Sequence, residues 1–164
     1  MISSHNKSLL STESTPERKC NCSCNTTCPL NGQCLSENIV YKAQVTEQPA
    51  GHVKHYIGLA TKFKDRLAVH KQGFNHRQYA NRCELSKHIW KLKDDSKTYS
   101  LKWEILKKVK GKKISGACKL CTTEKMFIID HTNPTNLLNS NWINKCPHAR
   151  KNLLSGKIEM DTMD

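Results

Sequence analysis

Two alternating apolar stretches joined by a short turn constrain this chain more than anything else in it. Ile39, Tyr41, Ala43 and Val45 fall on one face of an extended segment, residues 47–51 (EQPAG) supply Pro and Gly for a reversal, and Val53, His55, Ile57 and Leu59 alternate again. Period-two patterning on both sides of a Pro/Gly connection predicts an antiparallel hairpin. The second arm then hands over to a helix. After Tyr56-Ile57-Gly58, Phe63, Leu67 and His70 form one helical stripe with Arg66 beside it, and Thr61 is placed to cap that helix. A tyrosine and a glycine at a strand end, followed by a basic helical face, suit a phosphate.

The rest of the chain supplies partners for this unit. Residues 72–82 are polar and read as a loop. Leu85, Ile89 and Leu92, flanked by Trp90, predict a helix ending near Asp95. Tyr99, Leu101, Trp103 and Ile105 alternate with polar residues and predict a third strand. Lys107, Lys108, Lys110, Lys112 and Lys113 form a basic run to a turn at Gly116, and a third helix is expected from about Ala117 with the stripe Ala117, Leu120, Cys121, Phe127 and Ile128. Pro134 breaks the chain, and Thr135 to Asn139 leads into a short final helix or loop containing Trp142. The expected fold is a small α/β domain, with a three-stranded antiparallel sheet flanked by helices, over residues 38–149. Residues 1–19 read as a disordered lead-in, 20–37 as a cysteine-rich segment and 150–164 as a tail.

A formal net charge of +13 over 164 residues favours a polyanionic partner, because neutralised phosphates release their counterions. Acidic membrane lipid fits less well, since no lysine-rich amphipathic helix with an aromatic face is present. No run approaches the ~20 apolar residues of a membrane span, and MISSHNKSLL lacks the apolar core of a secretory signal. The expected compartment is therefore nucleus or cytoplasm. There the nine cysteines are reduced and point to metal rather than disulfides.

The cysteines fall in groups. Cys118-x-x-Cys121 and Cys146-Pro-His148 together offer three thiolates and an imidazole, a usual tetrahedral zinc set that would pin the third helix. Cys20, Cys22, Cys24, Cys28 and Cys34 can build a second site. With five candidates for four places its ligand set stays open, with Cys28 and Cys34 the first choices. That segment holds too few apolar residues to fold by burial alone. Cys83 reads as structural.

Glu124 is the most informative anomaly, a carboxylate in the middle of an apolar helical stripe. Burying it is costly unless a cation or donors meet it. It either turns to the rim or pairs with a lysine, or it holds a divalent ion such as Mg²⁺, which needs few protein carboxylates. Tyr41 and Tyr56 sit in adjacent strands, either as packing aromatics or as acceptors of a proton from an attacking water. The second role needs a nearby cation, for which Lys42, Lys54, Lys62 and Arg66 are the candidates.

Tyr41, Tyr56-Ile57-Gly58, Arg66 eight residues after that glycine, Glu124, and Asn139 fifteen residues further on resemble the GIY-YIG nuclease domain over about residues 38–145. The first motif reads Ile39-Val40-Tyr41, with Ile39 where the family has Gly. The resemblance implies an endonuclease that nicks DNA by hydrolysing a phosphodiester bond with one Mg²⁺ or Mn²⁺. Carried over by position, Glu124 holds the metal, Arg66 stabilises the phosphoryl transition state, and Tyr41 and Tyr56 position and activate water, with either as base. Gly58 lets the backbone turn close to the site, Asn139 fixes its geometry and His70 assists. The pieces SSHNKSLL, CPLNGQCL, NIVYKA, ELSKHIW, CKLCTTEK and KCPHARKNLL look like the C-terminal endonuclease part of Penelope-like retroelements, which implies DNA and a fused or separate reverse transcriptase as partners. The chain then reads as a detached endonuclease module. The alternative expectation is a zinc-containing nucleic-acid-binding module without catalysis.

Overall fold

The central strand of the sheet is the first one in the chain, and both of its faces are covered. In the computed structural model, which describes residues 19–23, 27–110, 113–114 and 117–139, β1 (Glu37–Gln48) lies between β2 (Val53–Lys62) and β3 (Thr98–Lys108), antiparallel to each. Ile39, Tyr41, Ala43 and Val45 point to one face as their alternation predicts, while Val40 is equally buried on the other. β3 carries one extra residue, Leu106, between the pairs Val40–Lys107 and Tyr41–Ile105. This bulge bends the ladder beside Tyr41.

Helices cover each face. α1 (Phe63–Asn75) and α2 (Glu84–Asp94) pack on the Tyr41 face, where Phe63, Leu67, Phe74, Leu85, Ile89 and Leu92 join Ile39, Tyr41, Val45 and Trp103 in the larger core. α3 (Lys119–Ile129) lies on the opposite face, where Leu120 and Ile128 meet Val40, Ile57 and Val109. The helical stripes read from sequence are the buried faces: Phe63, Leu67 and His70 on α1, and Leu85, Ile89 and Leu92 on α2. Burying each such apolar side chain stabilises by about 1.5–3 kcal/mol, so α1 and α2 are held mainly by this packing. Truncating Phe63, fully buried between Tyr41 and Trp103, is the single change that would loosen α1 most.

Four local expectations are corrected. Thr61 does not cap α1: it belongs to β2, the helix starts at Phe63 without a side-chain cap, and the Phe63 amide is instead taken by the Ser36 carbonyl at 3.1 Å. Part of the loop over 72–82 is ordered, because α1 runs on to Asn75 and a 3-10 turn spans Arg77–Arg82. Lys107 and Lys108 belong to β3, and the run beyond them includes a short hairpin of β4 (Lys113–Ile114) with β5 (Ala117–Cys118), so α3 starts after Ala117. Residues 1–18, the tail after Leu154, Trp142, Cys24, Cys146 and His148 lie outside the described residues. Among the described residues no helix is long and apolar enough to cross a membrane.

The segment after α3 returns along the open edge of β2. Leu138 donates its amide to the His55 carbonyl at 2.7 Å, and Lys54 reaches the Thr135 carbonyl at 2.7 Å. An exposed strand edge is thereby partnered by chain that is not itself a strand.

Candidate active site

Tyr41, Tyr56, Arg66 and His70 converge where β1 and β2 face the first turns of α1. β-strand alternation puts Tyr56, Gly58 and Ala60 on the α1 face, one step out of phase with the apolar residues Ile57 and Leu59 behind them. Tyr41 is directly opposite Gly58 in the ladder. A Cβ on Gly58 would lie 2.6 Å from the Tyr41 hydroxyl and 2.9 Å from the Tyr56 ring, so only glycine lets both rings close over the strand.

Helical spacing puts Arg66 and His70 one turn apart on α1, both facing this wall. Arg66 donates from Nε to the Tyr41 oxygen at 3.1 Å and from a terminal nitrogen to the Tyr56 oxygen at 3.4 Å. The Tyr41 hydroxyl is also 2.7 Å from His70 Nε2. Burial, with Arg66 adding to it, pushes the His70 imidazole down to about 3. The ring is therefore neutral, its tautomer sets which partner of the Tyr41–His70 bond donates, and the tyrosine oxygen accepts from Arg66. Cys83 Sγ lies 3.7 Å from His70 Nδ1 and 3.3 Å from Ser86 Oγ, behind the imidazole. The sequence gives no signal for this support, because Cys83 and Ser86 lie on and before another helix.

Arg66 makes no ion pair with a carboxylate among the described residues. Burial opposes its charge, but the two tyrosine oxygens outweigh this and hold the guanidinium more firmly protonated than usual. Of the other cations considered near the tyrosines, Lys42 pairs with Glu104 at 2.8 Å and Lys54 is engaged with Thr135. Burial raises Tyr41 above the ordinary phenol range and pushes Tyr56 up to about 12, with Arg66 acting against both shifts.

Glu124 comes from the far face. It is half-buried on α3, and burial pushes its carboxyl up to about 7 against the opposing pull of Arg66, a hydrogen bond from the Leu59 backbone, and Lys125. It also raises Tyr56, which places its charge within electrostatic reach of the tyrosine pair. Asn139 does not enter this cluster. Its amide accepts from the Ile57 N–H at 2.9 Å and donates to the Ile57 carbonyl at 2.7 Å. The side chain thus behaves as a strand residue on the edge of β2 and holds the Tyr56-Ile57-Gly58 backbone in place.

Near the N-terminus, four of the five clustered cysteines form a candidate metal centre. The sulfur atoms of Cys20, Cys22, Cys28 and Cys34 all lie within 4.8 Å of one another. Cys118 is half-buried and Cys121 buried in the base of α3, while their expected co-ligands Cys146 and His148 fall outside the described residues.

No family model, curated protein or solved structure matches this chain.

Proposed function

We propose that this chain is a metal-dependent DNA endonuclease of the GIY-YIG type, hydrolysing a phosphodiester bond and derived from a retroelement resembling the Penelope-like ones. The observation that carries the reading is Arg66: a mostly buried guanidinium with no carboxylate partner among the described residues, held by two tyrosine oxygens. A cation kept in such a position is suited to an anion brought from outside, and its planar fork matches phosphate oxygens. The net charge of +13 supports a nucleic acid as the source of that phosphate.

The remaining groups fit the chemistry. Glu124 is a half-buried carboxylate in no ion pair among the described residues, with its charged form disfavoured by burial. A divalent ion is the natural compensation for such a group, and Mg²⁺ or Mn²⁺ fits a site with one protein carboxylate and phosphate oxygens as further ligands. When bound, that ion would neutralise charge developing on the phosphate and its leaving oxygen. Arg66 would meet a non-bridging phosphate oxygen.

Either tyrosine would position and activate the water, and Tyr56 is the less completely buried of the two. Tyr41 has no exposed surface and is held by His70 Nε2 at 2.7 Å and by Arg66 Nε at 3.1 Å. In the reaction the water oxygen would form a bond to phosphorus, its proton passing through a tyrosine hydroxyl to solvent. The bond from phosphorus to the leaving oxygen breaks, and that oxygen takes a proton from solvent. Tyr56 orients Arg66 and the water, and Asn139 acts as a positioning residue through Ile57.

Plasmid nicking with Mg²⁺ or Mn²⁺ tests the reading, comparing wild type with Glu124→Ala and Arg66→Ala. The expected result is cleavage by the wild type alone. Absence of cleavage by folded wild type on supercoiled, linear and branched DNA would overturn it, as would full activity in Glu124→Ala.

A further inference from the structure

We propose that Cys20, Cys22, Cys28 and Cys34 bind one zinc ion as a tetrathiolate site, and that this site fixes the start of α1. The first argument is distance. A tetrahedral zinc with Zn–S bonds of about 2.3 Å needs sulfurs about 3.8 Å apart. Cys34 Sγ is 3.5 Å from Cys20 Sγ and 3.6 Å from Cys22 Sγ, and no pair in the set exceeds 4.8 Å. None of the four is in a disulfide, and two are half-buried and two buried.

The backbone wraps around the sulfur atoms. Left-handed conformations at Asn31 (φ 47°) and Gly32 (φ 83°) curl the chain between Cys28 and Cys34. Backbone groups of Leu30, Gly32 and Cys34 hydrogen-bond to the Cys28 sulfur. The Cys22 amide likewise donates to Cys20 Sγ at 3.3 Å. Amides aimed at sulfur are the outer shell expected of thiolate ligands.

The loop is closed by one further contact and tied to the tyrosine wall by two. Leu35 donates its amide to the Lys19 carbonyl at 3.1 Å, which joins the two ends of the segment. Leu30 is buried in the same core as Tyr41 and Phe63. The Ser36 carbonyl accepts the Phe63 amide at 3.1 Å at the first turn of α1, which has no side-chain cap of its own. Phe63 then packs edge-on against Tyr41, with ring centres 5.5 Å apart. A segment with so few apolar residues cannot hold this carbonyl in place by burial; a cross-link through metal can.

Cobalt titration of the full, reduced chain tests the assignment without any DNA substrate, so its failure is separable from failure of the nuclease reading. The expected result is one cobalt equivalent with the intense visible bands of a tetrahedral tetrathiolate, displaced by zinc. These bands should vanish in Cys28→Ser and Cys34→Ser and remain in Cys118→Ser. Cys20→Ser, at a half-buried ligand where packing is least disturbed, should shift them rather than unfold the protein. Folded wild type without such bands overturns the site, as does a spectrum indifferent to Cys20→Ser. The link to α1 is read by amide exchange at Phe63, expected to speed up by ~tenfold or more on zinc removal. Unchanged exchange there overturns the link.

Discussion

Tyr41 and Gly58 are cross-strand partners on β1 and β2, and the Tyr41 hydroxyl fills the space where a side chain on residue 58 would begin. A methyl group there would meet that oxygen at 2.6 Å, the ring carbon carrying it at 2.8 Å and the Tyr56 ring at 2.9 Å. Tyr41 is fully buried among Phe63, His70 and Trp103 and has little room to retreat. Gly58→Ala is therefore expected to destabilise by ~1–3 kcal/mol, as overpacking does. Adding Tyr41→Phe, which deletes the nearest of the three atoms, should recover part of the loss. Urea unfolding of the single and double variants measures both effects, and a Gly58→Ala midpoint equal to wild type would show that the contact is not tight.

Arg66 serves two oxygens at once, from Nε at 3.1 Å and from a terminal nitrogen at 3.4 Å. A lysine ammonium is a point charge on a flexible stem and cannot reproduce that fork. If the nuclease reading holds, Arg66→Lys should slow plasmid nicking by ~100-fold or more, close to the effect of Arg66→Ala, with little change in melting temperature. Activity within a few-fold of wild type in the lysine variant would show that charge alone suffices and that the fork has no role.

Much of the fold is visible in the spacing of apolar residues, and most of the site is not. The hairpin follows from Ile39, Tyr41, Ala43 and Val45, β3 from Tyr99, Leu101, Trp103 and Ile105, and α2 from Leu85, Ile89 and Leu92. Each is a long periodic run whose buried face is the one its period implies. Thr61 misleads because local capping preference competes with a tertiary donor, the Ser36 carbonyl, that no local pattern reveals. β2 shows the same limit differently. Its apolar alternation, Val53, His55, Ile57 and Leu59, marks the side away from α1, whereas the side carrying the tyrosine cluster consists of Tyr56, Gly58 and Ala60. The family-like spacing picks out Tyr41, Tyr56, Arg66 and Glu124, but the Tyr41–His70 bond and the Cys83 support behind it depend on helix packing across 29 and 13 residues of sequence. The cysteines are a mixed case: their density signals a cross-link, while the four that meet emerge only from the curl at Asn31 and Gly32.

Asn139 is expected to act on β2 rather than on any reacting atom. Its side chain satisfies both the Ile57 N–H and the Ile57 carbonyl at 2.9 and 2.7 Å. Asn139→Ala leaves both groups without that partner at a partly buried edge, a loss of ~1–3 kcal/mol. The measurable signature is faster amide exchange at Ile57 together with the drop in stability. Asn139→Asp keeps an acceptor for the N–H but sets a carboxylate oxygen against the carbonyl, so it should not rescue the alanine variant. Rescue by aspartate would mean that the donor half of the pair carries nothing.

His70 should make stability depend on acidity in a definite direction. Burial beside Arg66 holds its pKa at about 3, below the ordinary 6.5. Between those values the unfolded chain takes up a proton that the folded chain refuses, so the contribution from His70 is fully present above about 6.5 and is lost as pH falls toward 3. The slope is at most ~1.4 kcal/mol per pH unit. Glu124 acts in the opposite sense from 4.5 to about 7, where the folded chain keeps a proton that the unfolded chain releases. The whole-protein profile mixes the two, and a variant at residue 70 separates them. His70→Gln offers an oxygen to the Tyr41 hydroxyl but cannot titrate. It should be less stable than wild type at pH 7 and should lose less stability on going to pH 4.5. Urea midpoints of both proteins at the two pH values provide the comparison, and parallel losses would show that His70 is not the group being protonated.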